Sequence, residues 1–484
     1  MNKLYVLLFT VLILHPCDAL SWDKFDERQT LETKTQASLV FASENIKSPV
    51  SSFGHTFIVF HNQTPPEMSA VALEFVGDST QPEFSYLRAG FMLVPGKFQL
   101  MPYYQKVRQY DLENRDTWLF PVNTKDIQSL KNAISQKLDK TYPYNFFTRN
   151  CSRYVAQFLL ENIVPEAKVN GRITIPAQSV RQLLNLGVIK EGLYIKSQQK
   201  VMIEAYQDLP LAERKKVRIF TDNPENSKAQ DIDPVLASAA LTYQFKRERN
   251  GYKRDVIYRQ KKTYNQTLLN SPEPKKFVES SAQLSIQGAE DGAAIVQFMP
   301  AHNSLQSYFP DVTSPHYLIV SSMQFYVKDS LRLQSLNLLK IDAAVPETPF
   351  SKGFTRYLDA SYYDWKHLVN KEATETVLRY GFGSTKGLGS LTASVVPFFG
   401  VKYNHLENDD DVLAELGVKN KISLQAFGGK VDLQHMWLAY GGRAYKNKFK
   451  AEAVRPISNK TSLYLSFEAT PDESFTSGGA MLKF

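Results

Sequence analysis

Cysteine is almost missing from this 484-residue sequence, with only Cys17 and Cys151 present. Cys17 falls in an N-terminal stretch of secretory character, so the mature chain is expected to keep one thiol and no intramolecular disulfide. Tryptophan is scarce as well, at four residues, although tyrosine and phenylalanine are plentiful at 25 and 30. The N-terminal apolar run, Tyr5 to Leu14, is shorter than the roughly 20 residues that a membrane-spanning helix needs. Neither a GxGxxG turn nor a P-loop occurs, so glycine-rich phosphate cradles are excluded. His302, His316, His367, His405 and His435 are scattered and form no ligand spacing, so neither a metal nor a cofactor is expected. No fixed-period repeat and no low-complexity tract interrupts the chain.

The N-terminal stretch reads as a signal peptide, residues 1–19: Asn2 and Lys3 precede the apolar run, and Cys17-Asp18-Ala19 ends on a small residue. His15-Pro16 stand before Cys17 where a lipoprotein processing site needs small or aliphatic residues. The formal charge of +8 survives cleavage, because the segment removes one lysine and one aspartate. In an exported chain that balance fits an anionic membrane surface, or simple solubility, rather than nucleic acid.

The surviving thiol lies in Thr141–Asn162, TYPYNFFTRNCSRYVAQFLLEN. Val155, Phe158, Leu159 and Asn162 recur three and four apart, which predicts a helix beginning near Cys151. Asn150 suits its N-cap. A thiol at a helix start sits at the positive end of the dipole, which favours thiolate, and Arg149 and Arg153 add positive charge. A buried structural cysteine is the plain alternative. Upstream, Ser51 to His61 reads as a glycine turn feeding a strand that opens on His55. An imidazole facing a thiol supplies the base that a cysteine nucleophile needs. Val71 to Val76 predicts another strand, in which Glu74 either faces solvent or orients His55. His61 is a rival for that role, since it shares a strand face with His55.

Phe91 to Tyr104 is rich in Phe, Met and Tyr around Pro95-Gly96, which reads as a turn. These residues form either an apolar groove for a lipid chain or an ordinary core. Phe98, Tyr103, Tyr104 and Asn150 are the candidate substrate contacts. Trp118 to Val122 predicts a strand, and Asn123 or Thr124 a cap for a helix bearing Ile127, Leu130, Ile134 and Leu138. A further helix starts at Ile175-Pro176. Ser197 to Val217 looks helical, and Asp233-Pro234 starts a helical hairpin broken at Asn250-Gly251.

From Val278 the period changes to two. Leu284 and Ile286 alternate with Gln283, Ser285 and Gln287, and the same alternation recurs through Leu391–Val396, Ile422–Ala426 and Ser462–Phe467. About twelve strands near the length of tilted membrane strands are expected. A terminal aromatic, Phe484, closes the last one, as in chains read by barrel-insertion machinery. A soluble sandwich with one wet face shows the same alternation.

The motifs SxFGHTF, PGKFxLMPYYxKVRxY, LENRDxW and YNFFxxNC, in this order over about residues 37–190, resemble the Lnb-type N-terminal periplasmic domain family. That family is similar to permuted papain-like folds of the NlpC type. The resemblance implies His55 as base and Cys151 as nucleophile, and an activity in N-acylation of bacterial lipoproteins. Glu74 stands where many relatives carry asparagine. The expected architecture is an α+β papain-like N-terminal domain (residues 20–195), a helical linker (196–277) and an all-β barrel (278–484) in the outer membrane. Three functions fit: a Cys–His acyltransferase on membrane lipid or lipoprotein, a peptidoglycan-directed cysteine peptidase or amidase, and a non-catalytic barrel with a periplasmic binding module. Oligomeric state is left open.

Overall fold

The computed structural model describes residues 26–43, 53–77, 93–222 and 232–247 (less 125 and 172–173), a few positions between 251 and 277, and most of 283–483. The signal segment, Ser51-Ser52, Phe91-Met92, most of the second arm of the hairpin and Phe484 lie outside the described residues.

After a short helix α1 (Glu27–Glu32), the N-terminal region builds an antiparallel sheet from β1 (Gln36–Ala42), β2 (His55–His61), β3 (Val71–Gly77), β4 (Val94–Pro102), β5 (Thr117–Pro121), β6 (Tyr142–Tyr144), β7 (Leu193–Ile195) and β8 (Glu273–Pro274). Their order is β6-β4-β3-β2-β1-β5-β7-β8. The central strands are apolar on both faces, and helices cover both. On one face Leu39, Phe41, Ile58, Phe60, Leu73 and Phe75 pack with α4 (Cys151–Ile163) and α5 (Pro176–Asn185). On the other, Val40, Phe57, Val59 and Ala72 pack against Tyr103 and Tyr110 of α2 (Tyr103–Glu113). Between these layers in sequence lies α3 (Ile127–Ser135).

The expected turn at Pro95-Gly96 is instead the start of β4, paired with both β3 and β6. Gly96 is there for close approach, since a Cβ would come within 2.8 Å of the Phe75 ring. The cap of α3 is Asp126, which accepts from the Ser129 amide at 3.0 Å. Asn123 is spent on the Gly187 carbonyl instead, at 2.9 Å. The LENRDxW stretch is a corner. Asn114 ends α2 at φ 57°. Arg115 donates to the carbonyls of Ser43 and Ala42 at 2.6 and 3.2 Å. Asp116 accepts from Tyr194, Lys200 and the Ser197 amide at 2.5–2.9 Å.

The helical stretch expected over 197–217 is two helices, α6 (Gln198–Gln207) and α7 (Leu211–Asp222), separated at Pro210. They pack with α8 (Pro234–Arg247) around Val217, Phe220, Ala237 and Leu241. The chain then returns to the first sheet: β8 pairs with β7, and Phe277 enters the core between Phe41, Trp118 and Phe120.

Six residues beyond Phe277 the second unit begins. Its strands run β9 (Gln283–Ala289), β10 (Ala294–Met299), β11 (Ala301–Asn303), β12 (His316–Val327), β13 (Leu331–Val345) and β14 (Phe354–Asp364), and continue in sequence order to β21 (Ser474–Lys483). Each pairs antiparallel with its neighbours, and β21 pairs back onto β9. As β10 and β11 both lie against β12, the wall has twelve strands and is closed. Closure pairs every strand edge, the condition for a sheet in lipid.

Alternation sorts the wall. Leu378, Phe399, Val412 and Leu416 project outward, 57–68% exposed. Between them, Arg379, Lys402 and Glu415 are buried in the lumen. There Arg379 pairs with Glu415 at 2.7 Å, Lys419 and Lys421 hold Asp342 at 2.8 and 3.1 Å, and Lys450 pairs with Glu468 at 2.8 Å. An apolar exterior around a charged, ion-paired interior is the polarity of a membrane barrel, inverted from that of a soluble one.

Phe277→Ala removes a ring packed edge-on against three aromatics and should destabilise the N-terminal domain by about 3 kcal/mol or more. In detergent, its urea transition, followed by tryptophan fluorescence, should move to lower concentration. Heat-modifiable migration of the barrel should be unaffected.

Candidate active site

Two structural devices bring His55 to its place. Gly54 adopts φ +92°, which only glycine takes without strain, and a Cβ there would sit 2.8 Å from the Ala42 carbonyl. The chain therefore turns tightly against β1 and starts β2 with His55. Cys151 is placed by a cap. Asn150 Oδ1 accepts from the Arg153 amide at 3.1 Å, and its Nδ2 donates to the carbonyls of Phe146 and Thr174 at 2.9 and 2.7 Å. The cap thus also pins the preceding turn, where Asn145 Oδ1 accepts from the amides of Phe147 and Thr148.

On one side the imidazole of His55 is close enough to the Cys151 thiol for each to shift the ionisation of the other. On the other, His55 Nε2 lies 3.3 Å from Glu74 Oε2. With Nε2–H directed at the carboxylate, the remaining nitrogen, Nδ1, is the acceptor for the thiol proton. The Thr56 amide also donates to the Cys151 sulfur.

Glu74 is buried on β3, and three side chains converge on it. Besides His55, Gln99 Nε2 donates to Oε1 at 2.7 Å, and Lys106 Nζ reaches Oε2 at 2.5 Å. Gln99 comes from β4, directly across the ladder from Glu74, and Lys106 from α2. Burial alone would raise this carboxyl, but the His55 hydrogen bond and the Lys106 charge outweigh it and hold it at about 2. Burial also works against charge on the ring of His55. The Cys151 thiolate and the Glu74 hydrogen bond override it, and His55 is held above its ordinary value. For Cys151 burial again opposes ionisation, while the His55 charge and hydrogen bond and the Thr56 amide bring the thiol below the usual range. Each of the two groups thus favours the charged form of the other, the direction that a thiolate–imidazolium pair needs.

Lys106 and Gln99 had no signal of their own in the sequence, although Lys106 stands in the PGKFxLMPYYxKVRxY motif and Gln99 at its first open position. His61 takes no part: it ends β2, about 20 Å along the strand from His55, and bonds Ser38 Oγ at 2.9 Å. Arg153 turns away to the Gly171 carbonyl and Thr174 hydroxyl at 2.9 and 3.1 Å. Of the candidate substrate contacts, Phe98 and Tyr103 are packed in the two cores, Asn150 is fully engaged as a cap, and Tyr104 is 45% exposed.

The pair has a definite pH signature. Because the Cys151 thiol is lowered, its alkylation by iodoacetamide should stay fast below the free-thiol value of about 8.5 and slow only when acid protonates the thiolate. Glu74→Gln removes a group that raises His55, so the imidazolium is lost at lower pH. The thiol then moves back up, because the His55 charge acts on it more strongly than Glu74 does. Alkylation near neutral pH should fall about tenfold per unit of that rise. An unchanged acid limb in the variant would remove Glu74 from the site.

Residues 25–186 match the family model of the Lnb N-terminal periplasmic domain. No curated protein sequence matches the chain. Among solved structures, a KdgM porin in complex with disordered oligogalacturonate is 8% identical, covering 42% of this chain and 98% of its own, with a TM-score of 0.26. An outer membrane channel from Pseudomonas putida F1 is 12% identical over 43% of this chain and 96% of its own, at a TM-score of 0.25. The barrel itself is read from its closed strand order and the polarity of its wall. Residues 25–186 thus carry an Lnb-type periplasmic domain, joined in this chain to a closed twelve-stranded β-barrel of the outer-membrane type.

Proposed function

We propose that this protein is a thiol acyltransferase of the cell envelope, in which the periplasmic domain transfers a fatty acyl group from a membrane lipid to a lipid or lipoprotein acceptor. The observation that carries this reading is the aligned Cys151–His55–Glu74 arrangement, with its carboxylate locked by Lys106 and Gln99, on a domain tethered beside a lipid-facing wall. An ionised thiol with an oriented imidazole is the equipment for acyl transfer. The family's association with lipoprotein N-acylation selects lipid acyl groups among the possible substrates.

In the first half-reaction the Cys151 sulfur attacks the ester carbonyl. The amides of Cys151 and Ser152 have no carbonyl one turn back in the helix, so they are free to face the oxyanion. The ester C–O bond breaks, and the departing alkoxide takes its proton from His55. In the second half-reaction an amine or hydroxyl attacks the thioester, His55 removes the acceptor's proton, and the C–S bond breaks to return the Cys151 thiolate. Glu74 holds the ring in one tautomer and stabilises its charged form throughout. Peptidoglycan hydrolysis would use the same acyl-enzyme, but an apolar barrel wall beside the site favours lipid over glycan.

Purified protein incubated with phospholipid should gain a fatty acyl mass on Cys151 that hydroxylamine removes, and a Cys151→Ser variant should gain no hydroxylamine-labile mass. Glu74→Gln should slow the gain by about 10²-fold, the scale of a perturbed general base. Release of soluble peptidoglycan fragments, with no acyl adduct from any lipid, would replace this reading with the peptidase.

A further inference from the structure

The turn that leads into His55 lies against the outside of the barrel. Phe53, two residues before His55, packs with Leu339, Ile341, Ala343 and Leu358 of β13 and β14. These are wall residues of the outer face. Asp342, between Ile341 and Ala343, turns the other way to meet Lys419 and Lys421 in the lumen, and successive strand residues face opposite sides. Elsewhere on that face apolar residues are bare, as at Leu378 and Phe399, yet Ile341 and Ala343 are 4% and 0% exposed. Phe53 also lies 6.1 Å from the ring of Phe146, on the turn that leads into Asn150-Cys151. The segment that leads into His55 therefore places a ring on the lipid-facing wall, and the turn that leads into Cys151 places a second ring against the first.

The position along the wall is fixed independently. Twelve antiparallel strands bring Gln283, the start of β9, and Lys483, the end of β21, to one rim. Counting strand directions from Gln283, the Val345 end of β13 falls at the same rim, so Ile341 and Ala343 lie close to it. Phe277 is locked in the periplasmic domain only six residues before Gln283, a span of at most about 20 Å. The domain is held at the periplasmic rim, at the level of the nearer lipid leaflet.

We propose that the acyl donor is a glycerophospholipid of that leaflet, and that its acyl chain reaches Cys151 sideways along the barrel's outer wall, past Phe53 and Phe146, rather than through the ion-paired lumen or from the aqueous periplasm. The inference rests on the acyltransferase reading and adds the donor class and its route. The thiolate takes the acyl group from the glycerol ester, and the glycerol oxygen leaves with the His55 proton as a lysophospholipid. Beside the covered patch Arg356, across the ladder from Ala343, lies over the Tyr380 ring at 5.3 Å, and beyond it the outward residues Leu378, Phe382 and Phe399 are apolar.

The test uses the full-length protein reconstituted in phosphatidylethanolamine–phosphatidylglycerol vesicles. It compares two donors, the vesicle phospholipid and water-soluble p-nitrophenyl butyrate, by intact mass of the Cys151 thioester. Ile341→Glu puts a charge on the wall, and barrel folding is checked by heat-modifiable migration. The ratio of phospholipid to butyrate acylation should fall at least tenfold in the variant. An unchanged ratio overturns the route. Butyrate acylation without any phospholipid acylation in the unsubstituted protein overturns the donor while leaving the thiol chemistry standing. Acylation by neither overturns the acyltransferase reading and this inference with it. A short bis-maleimide joining Phe53→Cys to Ile341→Cys in a Cys151→Ser background then reads the contact itself, and no cross-link means that the domain does not sit on the wall.

Discussion

A single buried carboxylate organises the periplasmic domain. Glu74 sits inside a sheet layer whose neighbours are otherwise apolar, where a lone charge is expensive. It is kept ionised because β2, β4 and α2 each send one donor to it. That convergence couples three pieces of backbone to one point. The cross-strand register of β3 and β4 is tied to it through Gln99, the seating of α2 through Lys106, and the tautomer of His55 through Nε2. The geometry of the Cys151–His55–Glu74 group and the packing of that face are thus one arrangement, and a change in any of the donors is felt as both a structural and an electrostatic loss.

Much of this was legible in the sequence where the cause is local. The helix at Cys151 and its Asn150 cap follow from spacing and cap chemistry within a few residues. The strand at His55 follows from the glycine turn before it, and the barrel follows from alternation sustained over two hundred residues. What was not legible depends on partners distant along the chain. Lys106 shows no periodicity that marks it as a ligand of Glu74, because the contact exists only after α2 folds over β3. Pro95-Gly96 carries a turn signature, yet it begins a strand, because the space taken by a Cβ at Gly96 is filled by the Phe75 ring and the Cβ of Tyr144. Asn123 looks like a cap until the Gly187 carbonyl arrives beside it. Phe277 gives no hint in sequence that it belongs with Phe41, Trp118 and Phe120, far upstream in the chain.

The barrel's interior shows a different economy. Buried ion pairs in a soluble core are often no better than well-packed hydrophobic groups. Here the wall leaves no choice, since the outward positions must be apolar for lipid and the inward ones face their own kind across a narrow space. Arg379 between Asp359 and Glu415, and Asp342 between Lys419 and Lys421, neutralise each other across strands that are distant in sequence. The lumen is thereby filled with matched charge rather than left as a field of one sign.

The pairing of β9 with β21 carries a consequence in time. Gln283–Ala289 sits next to the completed periplasmic domain, but its second partner is the last strand of the chain, Ser474–Lys483. The domain can finish as soon as Phe277 leaves the translocation channel, long before the barrel has anything to close with. During that interval the first barrel strand hangs from a folded domain with one edge unpaired. Such an edge recruits stray strands. The last strand of the chain, by pairing with that edge, ends the exposure and closes the wall in one step.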